Sequence, residues 1–159
     1  MGKRVGGFDT RMPESNAQLD HLSRELLAQL HRVLPAEALR TEFKGRLVIT
    51  IQARVPEVGD ITIWLEGDEI TVGIGELHHS HFEVYTQSAD TLDERERLAA
   101  ESAVEYIRDI IEERVRFRVQ FQQGRCLGSS SWYPEHSEVG PPLSRADEIR
   151  EYVWSRQLK

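Results

Sequence analysis

The spacing of hydrophobic positions changes along the chain, and each change marks an element boundary. Leu19, Leu22, Leu26, Leu27, Leu30, Val33 and Leu34 recur every three or four residues before Pro35, the stripe of an amphipathic helix. Ser15 followed by Gln18 matches a capping box and is expected to open that helix. From Thr41 to Tyr85 the period becomes two. Leu47, Ile49 and Ile51 alternate with Val48, Thr50 and Gln52; Ile61, Ile63 and Leu65 alternate with Thr62, Trp64 and Glu66. After Gly67-Asp68, Ile70, Val72 and Ile74 alternate with Thr71, Gly73 and Gly75, and Phe82 and Val84 with His81, Glu83 and Tyr85. Short strands with hairpin-length connections predict an antiparallel meander with one apolar face.

Thr91 and Glu94 form a second capping box, and Ala100, Ala103, Val104, Ile107, Ile110 and Ile111 make a helical stripe able to cover that face. At Arg114 the period returns to two, with Val115, Phe117, Val119 and Phe121 alternating with Arg114, Arg116, Arg118 and Gln120. This reads as a further strand that rejoins the sheet after a helical crossover. Gly124–Pro142 is rich in Gly, Ser and Pro and is expected to be a long irregular loop. Ser144, with Asp147 and Glu148, reads as the start of a last helix that packs Ile149, Tyr152, Val153 and Trp154. The predicted fold is α+β: a mostly antiparallel sheet of four to five strands packed on a long helix, with N- and C-terminal helices. Residues 1–14, without an apolar period, are expected to be a flexible N-terminal arm, and residues 15–159 a single domain.

Composition narrows the class. With 159 residues, 39% hydrophobic and 30% charged, the chain can bury one core without disulfides or metal. No apolar run approaches the length of a membrane span, and the basic start, Met1 to Arg4, leads into Gly-Gly and charges instead of a signal-peptide core. A single cysteine, Cys126, excludes an internal disulfide and a cysteine-built zinc site, and the cytoplasm is the expected compartment. Cys126 itself reads as a small apolar packing residue before a nucleophile. The net charge of −7 speaks against nucleic acid and suits a basic protein partner. The alternating arginines are better read as a solvated face or as cross-strand partners of acids.

The chemistry concentrates in Glu76-Leu77-His78-His79-Ser80-His81-Phe82-Glu83. If Phe82 and Val84 point inward, His79, His81 and Glu83 share the outer face, where two imidazoles and a carboxylate can ligate a divalent metal. The spacing departs from the first cupin motif, in which the Glu comes later, and the second half of the two-histidine phosphoesterase signature is missing. No Gly-x-Ser-x-Gly elbow and no complete dinucleotide fingerprint is present. The same face would carry Trp64, Thr71, Gly73 and Tyr85, with Arg116, Arg118 and Gln120 from the later strand. Rings and guanidinium groups over small residues suit a protein contact. Two readings of Trp64 stand: an exposed contact residue, or core under a terminal helix.

The run from Trp64 through Gly67-Asp68-Glu69, then His79-Ser80-His81-Phe82-Glu83, Ala103 to Arg114, and Gly124-Arg125-Cys126-Leu127-Gly128-Ser129 resembles a pattern in small uncharacterised bacterial α+β proteins. Some of these resemble immunity proteins that neutralise toxins. The resemblance implies a bacterial protein that binds another protein, a toxin among the candidates, and it carries over no catalytic residue. The leading expectation is a non-enzymatic binding module of immunity type with Trp64, His79, His81, Arg116, Arg118 and Trp132 as contacts and no cofactor. The alternative is a small enzyme with a divalent metal on His79, His81 and Glu83. Neither membrane nor nucleic acid is an expected partner.

Overall fold

A computed structural model describes residues 19–158, so the expected arm and the Ser15–Gln18 capping box lie outside the described residues. The chain folds as α+β with antiparallel sheets of five and four strands. Helix α1, His21–Val33, is capped by Asp20, whose carboxylate accepts from the Ser23 N–H at 2.8 Å. It buries Leu22, Leu26 and Leu30. The short Asp20 carboxylate thus reaches a backbone donor of the first turn.

Strands β1 (Arg40–Phe43), β2 (Leu47–Ile51), β3 (Ile61–Glu66), β4 (Glu69–Ile74) and β5 (His78–Glu83) come next as a meander in sequence order. Leu47, Ile49, Ile51, Ile61, Ile63, Leu65, Ile70, Val72 and Ile74 are buried along its inner face. The β2–β3 loop and the β4–β5 turn lock together. A Cβ on Gly59 would lie 2.6 Å from Gly75 Cα, and one on Gly75 only 2.2 Å from the Val58 carbonyl oxygen. Both glycines have positive φ, 88° and 48°, so the backbone geometry itself favours glycine there.

Helix α2, Leu92–Ile111, starts at Thr91, whose hydroxyl accepts from the Glu94 N–H, and lies on the inner face. There Tyr106 meets Ser80, which donates to its hydroxyl at 3.1 Å, and the Phe82 ring at 5.5 Å between centroids. α1 packs on the same side and runs parallel to α2. Gln29 donates to the Arg97 carbonyl, and Gln29, Arg32 and Val33 line one groove with Glu101, Val104, Glu105 and Arg108.

The later elements depart from the sequence expectation. β6 (Arg116–Gln122) does not rejoin the first sheet; it is central in a second one, ordered β7-β6-β8-β9, with β7 (Arg125–Trp132), β8 (Glu148–Val153) and β9 (Arg156–Gln157). Much of the expected loop is therefore strand. Gln123 and Gly124, at φ 50° and 75°, form a two-residue turn of the kind that matches hairpin twist, and β7 then pairs along β6. Nor is the C-terminal segment a helix. Ile149 and Val153 fit a helical spacing, but so short a helix is marginal alone. As β8 the same segment pairs Phe117↔Tyr152 through Phe121↔Glu148 and buries Glu151, Tyr152 and Val153, with Trp154 just beyond. Among the described residues no helix is long and apolar enough to cross a membrane.

Candidate functional site

Register fixes what the outer face of the five-stranded sheet carries. One row across it runs Glu42↔Val48↔Trp64↔Thr71↔His81, the next Arg40↔Thr50↔Thr62↔Gly73↔His79, and a third joins Glu66↔Glu69↔Glu83. Trp64 lies over Gly73, where an added Cβ would stand 3.0 Å from the indole Cζ3. The glycine thus gives the ring its seat. Both helices pack on the opposite face, so Trp64 is not covered by the first helix; it is half-buried among its sheet neighbours.

His79 and His81 are exposed on β5, the edge strand, with ring centroids 5.0 Å apart at 88°. His81 Nδ1 donates to Glu69 Oε1 at 2.5 Å, and the Thr71 hydroxyl donates to the same oxygen at 3.1 Å. The carboxylate, which can only accept, therefore fixes a proton on Nδ1. In return the His81 imidazole, more than the Thr71 hydroxyl, holds the Glu69 carboxyl below the usual carboxylate range. Glu83, expected as a metal ligand with His79 and His81, lies on the same strand, and its carboxylate pushes the hydroxyl of the exposed Tyr85 above the ordinary tyrosine value. Among the described residues, the trio whose ligand atoms all lie within 4.8 Å of one another is a different one: His21, Asp93 and Glu96.

The remaining predicted contacts lie on the other sheet. Arg116 is exposed, opposite Trp132. Arg118 is not a free contact, with its side chain only 12% exposed. It donates to Glu151 and to the Gly140 carbonyl, both at 2.9 Å, and its guanidinium lies 5.6 Å from the Trp132 ring centre. The segment after β7 folds back over this face, where Gln120 accepts from the Leu143 N–H at 2.7 Å. The cross-strand pairing of arginine with an acid, read from the sequence, is what Arg118 and Glu151 make. A cavity of about 340 Å³ remains between Arg118, Trp132, Ser130 and Glu138.

The sheets meet at β5 and β7 through a polar chain that sequence reasoning missed. His78 Nδ1 lies 2.8 Å from the Ser129 hydroxyl and its Nε2 lies 3.3 Å from that of Ser80, which reaches Tyr106. Burial first, then the nearby His79 and His81, lowers the His78 pKa, so the joint holds the imidazole neutral. An imidazole between two hydroxyls lacks the carboxylate that steadies the imidazolium in a Ser-His-acid triad, so this contact reads as structural. Ser129 and Ser131, two apart on β7, were the available signal, since a strand places both hydroxyls on one face. Cys126, expected to pack, is exposed at the start of β7. Comparison with known protein families, curated proteins and solved structures finds no match.

Proposed function

We propose that this chain is a non-enzymatic protein-binding module of immunity type, which sequesters a partner protein through the outer face of its five-stranded sheet. The reading rests on one observation: that face carries Trp64, His79 and His81 beside the acidic row Glu66, Glu69 and Glu83, on the side of the sheet away from both helices. Rings seated on small residues supply contact area at low entropic cost, and the acidic row favours a partner with a basic surface. The net charge of −7 acts in the same direction at long range. The resemblance of the Gly67-Asp68 hairpin and the His-x-His-Phe strand to immunity-like bacterial proteins makes a toxin the favoured partner. Arg116 and Trp132 belong to a separate surface, and Arg118 serves the fold.

The test is a complex isolated from the native host and titrated against variants of this face. Trp64→Ala and His81→Ala should each weaken it by about tenfold or more, the scale of a contact hot spot, and added salt should slow association. Unchanged affinity in the Trp64→Ala/His81→Ala double variant, with its unfolding midpoint preserved, would remove this face from the proposal. Loss of binding on Arg116→Ala alone would move the contact to the other sheet.

A further inference from the structure

We propose that His21, Asp93 and Glu96 form a binding site for a divalent first-row transition cation that ties α1 to α2. His21 is the first residue of α1, and Asp93 and Glu96 lie at the start of α2. Because the helices run parallel, these two starts adjoin. The His21 Nδ1 contacts Glu96 Oε2 directly and lies 3.9 Å from Asp93 Oδ1, and the three ligand atoms all fall within 4.8 Å of one another. Ligands on one zinc-like ion at ~2.0–2.2 Å stand about 3.4 Å apart in a tetrahedral arrangement. Seating an ion therefore requires the His21–Glu96 contact to open and Asp93 to draw in, and Asp93 is able to move because its side chain is 80% exposed.

The chemistry of the set fits such an ion. One imidazole nitrogen and two carboxylates suit zinc, cobalt or manganese, and the two negative charges balance a divalent cation. Glu96, with 13% of its side chain exposed, forms the sheltered wall, while Asp93 opens the site to solvent so that water completes the coordination. This site stands apart from the sheet face and does not depend on the proposed binding function.

The experiment uses the full chain without a histidine tag, stripped with EDTA and titrated with cobalt chloride and zinc chloride by calorimetry and visible absorption. One equivalent should bind, cobalt should develop ligand-field bands, and zinc should raise the unfolding midpoint. His21→Ala and Asp93→Asn should each weaken binding by about tenfold or more. Asp93 is exposed, so Asp93→Asn should keep the metal-free unfolding midpoint, which separates lost ligation from lost folding. A His79→Ala/His81→Ala variant should bind as the parent does. Absence of saturable binding, affinity unchanged from the parent in His21→Ala and Asp93→Asn, or loss of binding in the His79→Ala/His81→Ala variant would each overturn the assignment.

Discussion

On the five-stranded sheet, His81 stands outward on an edge strand, half exposed, and donates to Glu69 in view of solvent. On the four-stranded sheet, Arg118 also alternates outward from the core, yet it is closed in by Glu151, Trp132 and the returning segment at Gly140. One sheet leaves its outer face on the side away from both helices; the other uses its face in holding its own chain. Alternation along a strand therefore says which residues share a face and not whether that face is free. The difference lies in the connections: a short turn leaves β4, but a long segment leaves β7 and has to come back across the sheet.

The largest test of this contrast removes one acid from each pair. Glu151→Ala leaves the Arg118 guanidinium buried without its carboxylate and should cost about 3–5 kcal/mol. Glu69→Ala should cost less than about 1 kcal/mol, because its pair with His81 is exposed. Urea unfolding of the two variants checks this, and equal costs would end the distinction between the sheets.

A smaller effect probes how Trp64 is seated. Gly73→Ala places a methyl 3.0 Å from the indole edge, so the ring must shift. The expected cost is about 1–3 kcal/mol, together with a change in tryptophan fluorescence. An unaltered spectrum and midpoint would mean that Gly73 is not the seat.

The mildest test is pH dependence at the joint between the sheets. The folded state holds His78 neutral with a lowered pKa, so its contribution is complete above the unfolded value of 6.5 and falls as the pH drops below that value, until the folded pKa is reached. Glu69 has the opposite charge type: its lowered pKa stabilises the fold above the ordinary 4.5, and that contribution is lost only at more acid pH. Urea midpoints measured from about pH 8 to about pH 5 should fall for the parent chain and fall less for His78→Gln. Identical slopes would place the titration elsewhere.

These contrasts also show what the sequence carried. The strands from Ile61 to Glu83 and the helix start at Thr91 were legible because alternation and capping are local, and so was the shared outward face of Trp64, His79 and His81. The second sheet was not. Ile149, Tyr152 and Val153 suit helix and strand spacing alike, and only pairing with β6, some thirty residues away in sequence, decides between them. β7 is polar and Gly/Ser-rich, so no hydrophobic period announces it, and it forms because the Gln123–Gly124 turn delivers it to β6. The His21, Asp93 and Glu96 group was illegible for the same reason: its members are brought together by helix packing and not by spacing.

The glycine contact between the β2–β3 loop and the β4–β5 turn has a consequence for anyone altering this chain. Gly59 and Gly75 touch backbone to backbone, so neither residue can acquire a side chain unless its neighbour withdraws, and the two bends must shift as a unit. An inserted loop, label or graft at either bend would pry the pair apart. The turns at Gly45 and Gly67 have open space where a side chain would go, and they are the places where the first sheet would tolerate new sequence, provided it keeps the backbone bend that glycine allows there.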